Sequence, residues 1–140
     1  MAPDTSSIGY LVKHAQAALH SRMEDALRPL GLSVSQYACM VLVHEQPGIS
    51  ASELARGAFV TRQSMNALLR ALIERGLVRR PVRADTGRAL PTELTATGTE
   101  LLGRAEILVS EVQDRMLSRL AAAERRALEG SLLACIDALA

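Results

Sequence analysis

Apolar side chains recur along this chain at spacings of three and four, the period of a helix that buries one face. The first such stripe is Ile8, Leu11, Val12, Ala15, Ala18, Leu19, Met23, Ala26 and Leu27, with Ser6 or Ser7 placed to cap it. Arg28-Pro29-Leu30-Gly31 ends it, because proline cannot continue a helix and glycine permits the chain to reverse. Ser33, with Gln36 three residues later, has capping-box spacing and opens a second helix. Val34 to Val43 is apolar on nearly every side, which places that helix in the middle of the fold. Pro47-Gly48 closes the unit.

Ser50 and Glu53 repeat the capping signature for a short helix to about Arg56. Gly57-Ala58-Phe59-Val60 is a turn, and Thr61 caps a further helix to about Arg75. One face of that helix carries Met65, Leu68, Leu69, Leu72 and Ile73; the opposite face carries Gln63, Asn66, Ala67, Arg70 and Glu74, with Arg62 at the border. Gly76 stands where a C-terminal capping residue belongs. The period then changes to two. Leu77 to Arg83 and Arg88 to Leu94 read as strands around Ala84-Asp85-Thr86-Gly87, with Leu90, Thr92 and Leu94 on one face. Pro81 and Pro91 are tolerated because a two-stranded ribbon is all edge. Thr95 opens a long helix to about Arg119, with Leu101, Leu102, Leu108, Val112, Met116 and Leu117 apolar. A last helix covers about Ala122 to Leu139, with Leu128, Leu132, Leu133, Ile136 and Leu139 apolar and no capping side chain at Ala121. The fold class is therefore mainly α with a small two-stranded β wing, a winged helix-turn-helix between N- and C-terminal helices. Those outer helices are more apolar than a small wing domain needs, and a partner surface is the simplest use for the excess.

Composition narrows the function. Apolar residues make up 49% of the chain but aromatics only 2%, so Leu, Ala, Val and Met must form the core. Scarce aromatics argue against single-stranded nucleic acid, which is held by stacking bases on rings. The longest fully apolar run, Ala38 to Val43, is too short to span a membrane. No charged-then-apolar leader is present, so a cytoplasmic protein is expected. Cys39 and Cys135 are too few for a metal cluster or disulfide framework. His14, His20 and His44 have no zinc spacing with them, and there is no phosphate-cradling glycine loop or nucleophile elbow. Neither enzyme activity nor a cofactor or metal is expected.

Charge is unevenly placed. The net charge is only +1, yet residues 56–88 hold eight arginines against two acids, while both flanks are net acidic. Clustered arginine is the electrostatic footprint of a phosphate binder. In the middle of that segment lies the helix opened by Thr61, and the major groove of DNA admits one such helix. Gln63 and Asn66 can bond adenine in two-pronged fashion, and Arg70 can bond guanine or a phosphate. Thr61, Arg62, Ser64 and the backbone N–H groups at the helix start suit phosphate oxygens. Arg83 and Arg88 flank the ribbon tip, where a slender loop fits the minor groove. The rival reading is a winged-helix protein-interaction module that never binds DNA. Salt separates the two, since only DNA binding should weaken log-linearly by counterion release.

These residues carry a resemblance. Leu54-Ala55, Thr61-Arg62-Gln63-Ser64-Met65 with Leu68, Leu72-Ile73-Glu74-Arg75-Gly76-Leu77-Val78-Arg79-Arg80, Gly87-Arg88-Ala89-Leu90 and Leu94-Thr95-x-x-Gly98 resemble the multiple-antibiotic-resistance regulator (MarR) family. Gly31-Leu32-Ser33-x-x-Gln36-Tyr37 resembles the start of that family's second helix, so the likeness spans nearly the whole chain. It implies one domain over residues 1–140, with dimerisation helices at about 6–30 and 99–140 and the winged helix-turn-helix at about 33–98. It further implies an obligate homodimer on a palindromic operator in double-stranded DNA, usually repressing genes and often released by a small aromatic or phenolic ligand. Gln63, Asn66 and Arg70 would read the major groove, and Arg88 would be the wing arginine. One departure stands out: the family's wing has an Asp two residues before its Arg, and here Thr86 holds that place with Asp85 one residue earlier.

The regulatory input is less specified. Tyr10, His14, Tyr37 and Met40 are candidates to line an effector pocket between the dimer helices and the winged domain. The alternative is a thiol switch at Cys39, which needs an accessible, low-pKa thiolate. An apolar helix should raise that pKa, so ligand response ranks above oxidation. Cys135, in the last helix, could meet its symmetry mate across a dimer.

Overall fold

A computed structural model describes residues 4–80 and 92–140. The helix order is α1 (Ile8–Leu27), a short 3-10 turn (Arg28–Leu30), α2 (Val34–Glu45), α3 (Ala51–Gly57), α4 (Arg62–Glu74), then after the ribbon α5 (Ala96–Met116) and α6 (Ala122–Leu139). Between α4 and α5, β1 (Val78–Arg79) pairs antiparallel with β2 (Glu93–Leu94), with Val78 opposite Leu94 and Arg79 opposite Glu93. This is the expected mainly-α architecture with a two-stranded wing base. The outer parts of both expected strands, with Arg83 and Arg88, and the loop between them, with Asp85 and Thr86, lie outside the described residues.

Local chemistry sets the boundaries. The Tyr10 N–H donates to Ser7 Oγ at 3.2 Å, so Ser7 rather than Ser6 caps α1. Ser33 and Gln36 form the complete capping box: the Gln36 N–H donates to Ser33 Oγ at 3.1 Å, and the Ser33 N–H to Gln36 Oε1 at 3.0 Å. At α3 only half the box forms. The Glu53 N–H donates to Ser50 Oγ at 3.1 Å, but the Glu53 carboxylate turns to accept from the Ser50 hydroxyl instead. At α6 the other half stands in, with the Ala121 N–H donating to Glu124 Oε1 at 2.9 Å. Glu24 of α1 adds a tie between helices, accepting from the Val34 N–H at 3.0 Å, where a carboxylate meets the positive end of α2.

The core gathers around α2, as its all-round apolar pattern requires. Cys39, Met40 and Val43 are buried with Leu27, Leu54, Met65, Leu69, Leu72, Leu77 and Val78. Helix α5 contributes Leu102, Ala105 and Val109. Of the apolar positions that spacing singles out, Leu102 is buried, Leu101, Leu108, Val112 and Leu117 are half-buried, and Met116 is exposed. In α4, Met65, Leu69 and Leu72 are buried and Leu68 half-buried, but Ile73 is 40% exposed.

The joint between wing and long helix is tight. Gly76 holds φ 72°, which a side chain would strain, and so turns the chain from α4 into β1. Thr95 then clamps three segments. Its N–H donates to the Leu77 carbonyl (3.0 Å), its hydroxyl donates to the Gly76 carbonyl (2.6 Å), and its Oγ1 accepts from the Gly98 N–H (3.0 Å). A Cβ at Gly98 would overlap the Leu77 carbonyl oxygen, with the Leu77 carbonyl carbon at 2.9 Å. The Thr95-x-x-Gly98 spacing is thus the imprint of a helix start pressed on a strand.

Helix α6 is exposed along its whole length, and in α1 only Leu27 is buried. Leu132, Leu133 and Ile136 are 43%, 59% and 65% exposed, and Ile8, Leu11 and Val12 lie similarly open. No single helix among the described residues is long and apolar enough to cross a membrane.

Candidate nucleic-acid interface

Helix α4 is held by its buried stripe so that its other face is free. Gln63, Asn66 and Arg70 are all exposed, and their spacing of three and four sets them in one row. Ala67 is also exposed and leaves the row low on one side, so a flat surface can approach it. The Thr61 Oγ1 accepts from the Ser64 N–H at 3.0 Å and donates to Ser64 Oγ at 2.9 Å. These two hydroxyls are therefore engaged with each other. The Met65 N–H already reaches the Thr61 carbonyl at 2.9 Å. A helix leaves its first N–H groups without intrahelical partners, so those of Arg62 and Gln63 remain to face an anion.

The arginine cluster divides by use. Arg56, Arg62 and Arg70 are exposed, with no acidic partner among the described residues. Arg75 is committed to the fold: its guanidinium donates to the Gly31 carbonyl at 2.7 Å and to the Leu30 carbonyl at 3.3 Å, tying the end of α4 to the turn after α1. Arg79 pairs across the ribbon with Glu93 at 2.9 Å, an exposed bridge worth well under about 1 kcal/mol. Counting charge along the sequence gives these two the same weight as the free ones. Arg56, at the end of α3, joins the same exposed basic surface without standing out by spacing. Arg83 and Arg88 lie outside the described residues.

The four effector candidates occupy different environments. Met40 is fully buried in the core, and Tyr37 is half-buried on the same helix. Desolvation, and then the charge of Glu106 on α5, raises the Tyr37 pKa above its ordinary value. Tyr10 and His14 sit on α1, their rings edge-to-face at 6.1 Å, with Tyr10 45% exposed. An apolar groove of about 280 Å³ lies instead between α1 and α5, lined by Ala15, Ala18, Leu19, Val112 and Met116 with Arg22 and Arg115 at its edge.

Cys39 is wholly buried, and burial pushes its thiol up to about 11, against the thiolate that oxidation requires. Cys135 is exposed on α6. Because an unfolded thiol ionises near 9, the raised value makes unfolding release a proton above that pH. Stability from keeping Cys39 neutral is therefore intact below pH 9 and is lost between about 9 and 11. Denaturant titrations over that range should show a decline about 2–3 kcal/mol shallower in Cys39→Ala than in wild type; parallel curves would contradict the buried thiol.

A sequence model of the MarR family matches residues 30–89. The chain is 42% identical over 123 residues to the HTH-type transcriptional repressor Rv2887 of Mycobacterium tuberculosis, covering 88% of each. This chain belongs to the MarR family. The solved Rv2887 complex with salicylic acid superposes on this MarR-family fold with TM-score 0.81 at 40% identity, covering 96% of this chain and 99% of that one. The Rv2887 complex with DNA gives 0.79 at 38% identity, covering 93% and 98%.

Proposed function

We propose that this protein is a homodimeric, sequence-specific repressor that binds a palindromic operator in double-stranded DNA and is released by a small aromatic acid. The observation that carries this is the exposed Gln63–Asn66–Arg70 row, presented by a helix whose opposite face is locked in the core. Arg56 and Arg62 beside it, exposed and without acidic partners among the described residues, supply phosphate attraction. The match to a repressor solved with DNA and with salicylic acid supports both activities. A single chain presents one such row. The open apolar faces of α1 and α6 support pairing two chains, so that two rows meet successive half-sites about 34–36 Å apart. The protein is a regulator rather than an enzyme and acts where the DNA is, in the cytoplasm.

Arg83 and Arg88 are proposed for the minor groove, and Arg62, with the N–H groups at the α4 start, for phosphate. Tyr10, His14 and Tyr37 are proposed effector contacts. Met40, sealed in the core, could join them only if the packing around α2 opens. A thiol switch at Cys39 is the weaker alternative.

The test is a mobility-shift titration on duplex DNA at two salt concentrations, with random duplex as competitor and salicylate as the releasing probe. Competitor-resistant, salt-sensitive binding that salicylate weakens is expected; salt-independent behaviour would favour a protein-interaction module. Arg70→Ala should cost about 1–3 kcal/mol and relax preference at one position per half-site if Arg70 reads a base. Uniform weakening on all sequences would move Arg70 to a phosphate, and no loss on any duplex would remove it from the interface.

A further inference from the structure

The turn between α3 and α4 holds the chain's only phenylalanine in an unusual state. Phe59 has φ 58°, the one non-glycine residue with positive φ among the described residues, and it is 94% exposed. The backbone reason is clear. The Val60 N–H donates to the Ala55 carbonyl at 3.0 Å and the Phe59 N–H to the Arg56 carbonyl at 3.3 Å, the paired bonds that close a helix in a Schellman motif. Val60 folds back against the core as that motif requires. The motif demands a left-handed residue after the helix, and glycine or asparagine meets the demand without strain. A phenylalanine there strains the backbone and holds an apolar ring in water. Neither burden is returned by any contact within the described chain.

The ring's position supplies a use. Phe59 stands two residues before Thr61, the cap of the helix that carries Gln63 and Asn66. The exposed Arg56 and Arg62, with no acidic partner among the described residues, flank it three residues to either side. A large apolar group between two cations, next to a helix start, matches the alternation of sugar carbons, thymine methyls and phosphates along a duplex. We propose that Phe59 is an apolar DNA contact, packing on deoxyribose carbons or thymine methyl groups while Arg56 and Arg62 reach the phosphates beside it. This rests on the DNA-binding reading above and adds a residue that neither charge nor hydrogen-bonding capacity singles out.

Glycine at this position keeps the turn and removes the ring, so the fold and the contact can be separated. The probe is the tightest duplex that the wild-type dimer selects from a randomised double-stranded pool. Phe59→Gly should bind it about tenfold more weakly, with a thermal midpoint equal to or above wild type. The slope of log affinity against log salt should be unchanged, because an apolar contact releases no counterions. Phe59→Asn, which also tolerates the left-handed conformation, should behave alike. Phe59→Trp gives the chain a single tryptophan, whose emission should shift when that duplex is added. Three results would each overturn the proposal: affinity of Phe59→Gly within twofold of wild type, a reduced salt slope, or an emission of the Phe59→Trp variant that does not respond to DNA. Failure of the wild type to select any duplex would instead defeat the DNA-binding reading itself.

Discussion

Gly98→Ala should lower the stability of the folded chain by about 3 kcal/mol, a fall of roughly 10 °C in the unfolding midpoint. The added methyl would lie against backbone, which has no alternative rotamer. The Leu77 carbonyl carbon stands 2.9 Å and the Leu77 Cα 3.2 Å from the required Cβ position. Relief would push β1 from the start of α5 and stretch the Thr95 N–H to Leu77 carbonyl bond, now 3.0 Å. The Thr95 hydroxyl bridge to the Gly76 carbonyl would follow, because both bonds depend on the same approach. The displaced segment includes the base of the wing, so operator affinity should fall even below the melting transition. Thermal denaturation followed by circular dichroism measures the first effect. A midpoint within about 2 °C of wild type would mean that the joint has slack and that Thr95-x-x-Gly98 does something else.

The combined change Leu132→Glu and Ile136→Glu should have an equally large effect by another route. Both side chains lie on α6, no residue of which is buried, so the single chain loses no packing. An 18-residue helix with no buried residue is only marginally stable in water. A dimer would supply that burial, and two carboxylates inside its apolar face would lack partners. The variant should elute as a monomer where wild type elutes as a dimer. Apparent operator affinity should fall by about 100-fold or more, since two tethered half-site contacts become independent ones. Light scattering coupled to size exclusion decides the matter: a variant that remains dimeric, or a wild type that is monomeric at micromolar concentration, would remove α6 from the interface.

The candidate site is readable from sequence wherever a local rule governs it. Caps at Ser33, Ser50, Thr61 and Thr95 obey short-range hydrogen-bond geometry, so helix starts fall within a residue of their expected places. The exposed row on α4 is equally visible, because a helix with Met65, Leu69 and Leu72 on one side must show Gln63, Asn66 and Arg70 on the other. What escapes is whatever depends on a distant neighbour. Arg75 is indistinguishable from Arg70 by type and context, yet it bonds carbonyls more than forty positions away. Phe59 reads as ordinary turn filler, because its exposure and φ are consequences of how α3 ends and where Val60 packs.

By itself, then, the sequence determined the order of elements, their caps, the exposed row on α4 and the concentration of arginine around it. These follow from periodicity and from bonds spanning three or four residues, which any chain with this spelling would form. Tertiary structure alone decided which arginines stay free of the fold, that Ala105 and Val109 are buried while Leu101 and Leu108 are only half-buried, and that the Cys39 thiol is sealed. It also decided that the apolar residues at the start of α1 and along α6 stay exposed among the described residues of one chain. Burial and charge pairing depend on which surfaces meet after folding, and a one-dimensional pattern fixes the faces of helices but not their partners.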